Sequence, residues 1–389
     1  MKPITKTILK VSIAVSSVAI LLVFGFQYQN IATFLYGNDL EANGKLMSLL
    51  IQTLGGIAIF GTLWISLKRA KTLEESNKLT NKQLLIIEKG NITERFTKAI
   101  EQLSNPKTEI RLGGIYALYS IAKDSEEYKE TICEILCAFI RSESKNDIDY
   151  DLNKGHFQTI INFFKTDNNT FSSVKKNLNK CVFKDISFDN CNMSSADFSF
   201  SRFENCTFYT ANFNKAVFFD AEIKECEFLS SNFDNILGGE LYIKGGKIEY
   251  TSFINSVLIE STFKVKTIKH CVFESANLRE ASFSCDIEDV NFTKIIASNC
   301  NFNKSKFKDC DFDGARLNQS RFICTSHDRS NFRNIKTNEI DFSNSSFKEE
   351  QPIIHFENMG NVTLTGVTIG AHKIENLDDW MAYLKELNE

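Results

Sequence analysis

The chain has few of the residues that punctuate or break a fold. Its 389 residues include 3 Pro, 2 Trp and 5 His. So few prolines exclude a Pro-rich linker. The histidines are scattered: His156, His270, His327, His355 and His372. None pairs at i, i+4 around a Glu, which excludes that zinc-protease pattern. There is no CxxC, no GxGxxG and no GxSxG. Residues 37–45 hold glycines at the wrong spacing for a P-loop, and Leu46 stands where Ser or Thr is needed. The expectation is a non-enzyme with no catalytic, cofactor-binding or metal-binding residues. A net charge of −4 gives no basic field for nucleic acid, so that partner is not expected either.

What the chain does have is Phe, 34 of them, and they count in fives. One frame runs Leu178, Phe183, Phe188, Met193, Phe198, Phe203, Phe208, Phe213, Phe218, Ile223, Phe228 and Phe233. It skips Gly238 and continues from Ile243 to Phe283. The frame then slips by one residue and resumes at Ile287, Phe292, Ala297, Phe302, Phe307, Phe312, Leu317, Phe322, His327, Phe332, Thr337, Phe342 and Phe347. Two residues before most of these sits a small one, such as Ala196, Ser201, Ala211 or Ser305. Neither the helical nor the strand period fits. A unit with two inward residues, one small and one large, suits a coil that turns a corner at every unit. Four units close a coil of about 20 residues, and coils stack at about 4.8 Å. The stretch then makes roughly nine coils.

Eight of the 11 cysteines follow the same rule. Cys181, Cys191, Cys206, Cys226, Cys271, Cys285, Cys300 and Cys310 all occupy the small position. They read as slightly large alanines, since free Cys packs as a small hydrophobe. A thiol-rich core also suits a reducing compartment.

The units SADFS, TANFN and SANLR resemble the pentapeptide-repeat family, whose pattern is A(D/N)Lxx. The resemblance covers a little under half the chain. It implies a right-handed quadrilateral β-helix, and it implies no single function, because this solenoid is a surface for many roles.

Ahead of the repeats lies apolar sequence. Val11 to Phe26 is uncharged, and Leu46 to Leu67 is a second uncharged run long enough to span a bilayer. Lys2, Lys6 and Lys10 precede the first run; Lys68, Arg69 and Lys71 follow the second. Positive-inside then puts both termini in the cytoplasm of a bacterial cell, in a two-span inner-membrane protein with the lipid bilayer as a partner. Ser12 and Ser16, with Gly55 and Gly56, offer small faces for self-association of the spans. The fold class expected is thus mixed: a helical transmembrane hairpin (1–70), a cytosolic helical stalk with a HEAT-like helix pair (71–177), the β-helix (178–350), and C-terminal strands with a helix (351–389).

Within the helical part, Gly90 and Asn91 are expected to break the stalk. Asn105-Pro106 marks a helix start, and Asp124 with Glu127 suggests a capping box for the next helix. Gly113 and Gly114 are expected at a close helix contact. The string RFTKAIEQL with IRLGGIYALYSIAKDS resembles a module found beside two spans in bacterial membrane pentapeptide-repeat proteins. His156 to Phe164 is expected to be a helix covering the first coil, whose edge would otherwise recruit strands. At the other end, Asn361 to Gly370 alternates like strands, and Glu375 to Asn388 is an amphipathic helix. That helix either caps the rod or, through Trp380 and Leu384, pairs with a second copy.

Three departures from the rule are candidate contact sites: the glycine-rich stretch from Leu237 to Gly246, expected to bulge or loop; the frame slip beside Asp286, Glu288 and Asp289; and the inward His327 and Thr337 near Arg321, Arg329 and Arg333. Three functional readings follow. The first is a membrane-anchored scaffold whose rod binds an unknown cytosolic protein or self-assembles as a homo-oligomer. The second is a membrane-perturbing effector of stress or anti-phage defence whose hairpins cluster. The third is a DNA-mimic rod that binds a topoisomerase; nearly balanced charge along the repeats supports it weakly.

Overall fold

A computed structural model describes residues 39–145, 150–348, 354–356 and 361–388, with a few positions between 27 and 37. The first expected span, with Ser12 and Ser16, lies outside the described residues. The chain divides into two compact units, 1–90 and 91–389.

The first unit's described part is dominated by α1, the helix Leu40–Leu103, which continues into the second unit. It is unbroken at Gly90 and Asn91, contrary to the expectation. A single Gly in a helix costs only about 1 kcal/mol, which the flanking helix formers offset. From Met47 onward it is long and apolar enough to cross a membrane; its most apolar stretch has mean hydropathy 1.7, and none of that stretch is buried.

In the second unit, α2 (Thr108–Asp124) and α3 (Glu126–Glu143) form the expected pair. Ile115, Leu118 and Ile121 pack with Ile132, Leu136 and Ile140, and Ala99 and Leu103 from the end of α1 join them. The close contact is at Gly114 alone: a Cβ there would lie 2.7 Å from the Ala99 carbonyl oxygen and from Leu103 N. At Gly113 there is room. The expected capping box is absent. The N-cap of α3 is Ser125, whose side chain makes no cap bond.

The rod follows. Parallel pairing joins residues 20 apart, as Phe183 to Phe203 and Phe228 to Ile248. Across the frame slip the step is 19, from Ile268 to Ile287. One face carries Val182–Lys184, Arg202–Glu204, Glu222–Lys224, Tyr242–Lys244, Thr262–Lys264 and Ser282–Phe283. A second runs from Thr207–Tyr209 through Asp286–Glu288 to Val367–Ile369. A third is held by single bridges through Asn192, Asn212, Asn232 and Ser252; a fourth by Asp197, Val217, Leu237, Val257 and Asn277. The four faces close a square solenoid, as the five-residue unit requires.

Most units turn their corner on a residue with positive φ, such as Lys180, Asn190, Ser195 and Asp220. That conformation costs non-glycine residues energy. The next coil offsets it by accepting the corner amide: Lys180 N donates to Ser199 O at 2.8 Å, and Asn190 N to Tyr209 O at 2.8 Å. Inside, rings of one face stack at coil spacing, as Phe253 on Phe273 at 4.7 Å and Phe312 on Phe332 at 4.7 Å. The small slots admit the turning backbone and are often donors. Ser201 Oγ donates to Leu178 O at 2.8 Å, and Ser256 Oγ to Phe233 O at 2.8 Å. The cysteines in these slots are buried and unpaired, and burial pushes the thiols of Cys271 and Cys310 up to about 12.

Both ends are covered. Helix α4 (Tyr150–Asn162) is longer than expected and seals the first coil: Gln158 exchanges two 2.9 Å bonds with the backbone of Ser187. Thr166 N then donates to Asn190 O at 2.7 Å. At the far end the strand His372–Ile374 pairs antiparallel with Val367–Ile369, against the parallel order of the rod. Helix α5 (Leu377–Asn388) follows, with Trp380 and Tyr383 buried. Trp380 is taken up by its own chain; the side chain of Leu384 lies outside the described residues.

Candidate interaction surfaces of the rod

A solenoid scatters residues five apart onto adjacent faces and brings residues 20 apart together. This rule decides which sequence candidates form a site. Asp286 and Glu288 lie on the second face, and Asp289 and Arg329 on the corner that follows it. Arg321 is on the first face and Arg333 on the third, so neither joins them. The six candidates therefore do not make one patch.

On the second face Glu288 is gripped from both neighbouring coils. Lys269 Nζ is 2.6 Å away and Lys308 also pairs with it. These two ammonium groups hold its carboxyl down at about 2. Lys306 reaches Asp286 at 3.5 Å, and Lys348 reaches Asp328 at 3.2 Å. At the corner His270 Nδ1 meets Asp289 at 2.8 Å, and Arg329 grips Asp309 with two bonds of 2.6 and 2.7 Å. A shallow groove of about 230 Å³ runs between these charges. Its acids and bases alternate along the rod and neutralise one another, so the face is matched within itself.

The glycine-rich departure does not bulge. Tyr242–Lys244 and Lys247–Glu249 keep the register of the coil before them. Ile236 and Gly238 have exchanged roles: Ile236 fills the small slot, and a Cβ on Gly238 would meet Leu258 Cδ2 at 3.0 Å. Gly245 and Gly246 both have positive φ, 70 and 62. Added carbon at Gly246 would strike the Cys226 carbonyl oxygen at 1.8 Å. The next coil places Val265 inward at this same corner, and the one after loses its residue there, between Phe283 and Ile287. The first two departures read from the sequence are thus one stacked irregularity, at the corner joining the first and second faces.

His327 and Thr337 are core residues, not contact sites. His327 is stacked between Phe307 at 5.0 Å and Phe347 at 4.6 Å. Its Nε2 meets Thr325 Oγ1 at 2.8 Å, and its Nδ1 is buried without a partner. Burial lowers its pKa to about 3. Thr337 Oγ1 donates to Leu317 O at 3.2 Å.

Two features escaped the sequence reading. The polar residue before the large one closes a turn: Asn212 Oδ1 accepts from Asn214 N at 3.0 Å, and the same bond recurs at Asn232, Asn291, Asp311 and Asp341. The Asp/Asn preference of the repeat is the signal that could have shown it. The fourth face is also apolar outside, with Phe219 and Leu237 exposed. Reading every twentieth residue would have found it.

These observations define the rod as a four-faced β-solenoid of five-residue units. Residues 177–209 and 285–322 match the profile of the family described as Pentapeptide repeats, in 8 copies, so the chain carries pentapeptide repeats. Among solved structures, full-length QnrB1, a plasmid-mediated fluoroquinolone resistance protein, is similar over 54% of this chain and 99% of its own, at 16% identity and a TM-score of 0.31. HetL, a pentapeptide repeat protein involved in heterocyst differentiation regulation in the cyanobacterium Nostoc sp., is similar over 51% of this chain and 91% of its own, at 11% identity and a TM-score of 0.23. No curated protein sequence matches the chain.

Proposed function

We propose that this chain is a membrane-anchored, non-enzymatic scaffold whose β-helical rod presents a cytosolic surface for protein binding or self-assembly. The observation that carries the reading is one chain holding both a helix with an unburied apolar stretch and a rod with its core closed at both ends. The two-span arrangement, the right hand of the solenoid, the inner membrane and the cytoplasmic termini belong to this proposal. Lysines and arginines flanking the two apolar runs support that orientation.

A second reading has its own support. Gly55, Gly56 and Gly61 on α1 have open space where a Cβ would stand, and Thr53, Gly56, Ile57, Phe60, Gly61 and Trp64 line an apolar depression. Small residues of this kind let membrane helices approach closely. Clustered spans would make the chain a membrane-perturbing effector, of the kind a defence system uses. Beyond the weak support from repeat charge, no observation favours the topoisomerase reading.

The test is the mass of the protein in nanodiscs, together with membrane potential in cells expressing it. A monomer or dimer with an intact potential supports the scaffold. A large ring or cluster with depolarisation replaces it with the effector. Recovery of the full chain in the soluble fraction, with none floating with membranes, defeats both.

A further inference from the structure

The fourth face differs from the other three. Its outward rows hold Val217, Leu237 and Val257 on one side and Phe219, Gly239 and Ile259 on the other. Leu237 is 51% exposed and Phe219 42%. The third face carries Asn192, Asn212, Asn232 and Ser252 at the corresponding positions, and the second carries the matched charges described above. An apolar strip three coils long is therefore a local property of one face, not of the repeat.

The two edges of this strip also differ. The corner toward the first face stacks Asp220, Glu240, Glu260 and Glu280, all exposed. Among the described residues none of these four carboxylates has an ion-pair partner. The corner toward the third face stacks Lys215, Asn235, Asn255, Ser275 and Lys294. It has no acid; Lys294 pairs with Glu274 at 3.1 Å. One edge is thus anionic and the other neutral to cationic.

We infer that this face is the contact between two copies of the chain, packed side by side with their rods parallel about a two-fold axis along the rod. This deepens the self-assembly part of the proposed function and rests on it. The symmetry decides the match. Such an axis sets each outward row against the other row of the second copy, at the same coil. Leu237 of one copy then faces the notch at Gly239 of the other, and Val217 faces Phe219. The acidic corner faces the corner that has none: Asp220 meets Lys215, and Glu240 meets Asn235. Antiparallel packing would set the four carboxylates against the same four, a repulsion of like charges. The strip is small beside the roughly 800 Å² per copy of a standard interface. Association therefore depends on holding both copies in one membrane, which raises their effective concentration.

The experiment uses the full chain in membranes, in a Cys324→Ser background, since Cys324 is the one exposed cysteine. Two differently tagged copies carry Glu240→Cys and Asn235→Cys, and a short bis-maleimide is added. Both substitutions fall on positive-φ corners, a conformation that Cys324 itself adopts. The expected result is cross-linking between the two tags and little between two Glu240→Cys copies. Leu237→Glu, outside the core, is expected to lower the yield at least tenfold with an unchanged melting midpoint. Preferential cross-linking of Glu240→Cys to itself overturns the parallel arrangement. A dimeric mass with no cross-link moves self-assembly to another surface: the inference falls and the scaffold reading stands. A monomer whose pull-down of a basic protein is lost with Leu237→Glu also overturns it, and assigns the face to that protein.

Discussion

Two regions of this chain hold the same side chains in opposite circumstances. Along α1, Ile57, Phe60, Leu63 and Trp64 are exposed, Phe60 at 78%. In the rod, Phe198, Phe203, Phe208 and Phe213 have no exposure at all. Apolar content is therefore not what separates them. Period is. In the rod, a strict five-residue phase delivers each ring to the axis, where rings from neighbouring coils stack. On α1, apolar residues fall on every side of a helix with no protein core among the described residues to receive them, which is the pattern that lipid or another span would solvate.

The same substitution in both regions is the sharpest way to break this comparison. Phe213→Asp puts an unpaired carboxylate among stacked rings, with Phe233 at 4.7 Å. Its expected cost is several kcal/mol, seen by circular dichroism as loss of the cooperative melt. Phe60→Asp should leave that melt unchanged. It should instead disfavour membrane insertion by about 3 kcal/mol, read as protein lost from the floating fraction. Equal damage to the melt from both would show that α1 belongs to a protein core after all.

A second pair separates backbone from side-chain constraint within the rod. Gly246→Ala would drive a methyl into the Cys226 carbonyl, and should cost about 3 kcal/mol in denaturant unfolding. Gly245→Ala meets only the carboxylate of Glu225, the mobile end of a side chain. It should cost about 1 kcal/mol, as for a glycine replaced at a left-handed corner.

Much of the rod was legible because a solenoid writes its core into a short repeat. The inward ladder, the small slots and the length of a coil all follow from the count of five. The surface was harder to read. Neighbours on a face are 20 residues apart, so Arg321, Arg329 and Arg333 look like a cluster in sequence and stand on three parts of the perimeter. Gly90 and the expected capping box misled for another reason: both are weak local signals, and α1 and α3 gain more from helix continuity and packing than from either. His327 was placed inward correctly, yet its burial, not its position near arginines, determines its behaviour.

That burial gives a pH dependence. The folded pKa of His327 lies near 3, below the 6.5 of the unfolded chain. The unfolded state thus binds a proton that the folded state refuses, so stability is intact above pH 6.5 and falls as pH drops toward 3. The loss is about 1.4 kcal/mol per pH unit in that window. His327→Phe keeps a ring between Phe307 and Phe347 and should remove one proton's worth of slope from the stability profile. Identical slopes for both proteins would mean that His327 is protonated in the fold.

The smallest effect tests the outward side of the rule. Asn212 and Asn214 are both outward asparagines, on either side of Phe213. Asn212 holds its turn through the 3.0 Å bond from Asn214 N, while Asn214 contributes only its backbone to that turn. Asn212→Ala should cost about 1 kcal/mol, and Asn212→Asp, which keeps the accepting oxygen, much less. Asn214→Ala should stay within about 0.5 kcal/mol of the parent, as surface changes usually do. Chemical denaturation of the three variants separates the outcomes. If the two alanine variants are equally stable, the turn is held by the coil-to-coil backbone bonds alone. The Asp/Asn of the repeat would then need an explanation outside the fold, in what the rod's surface binds.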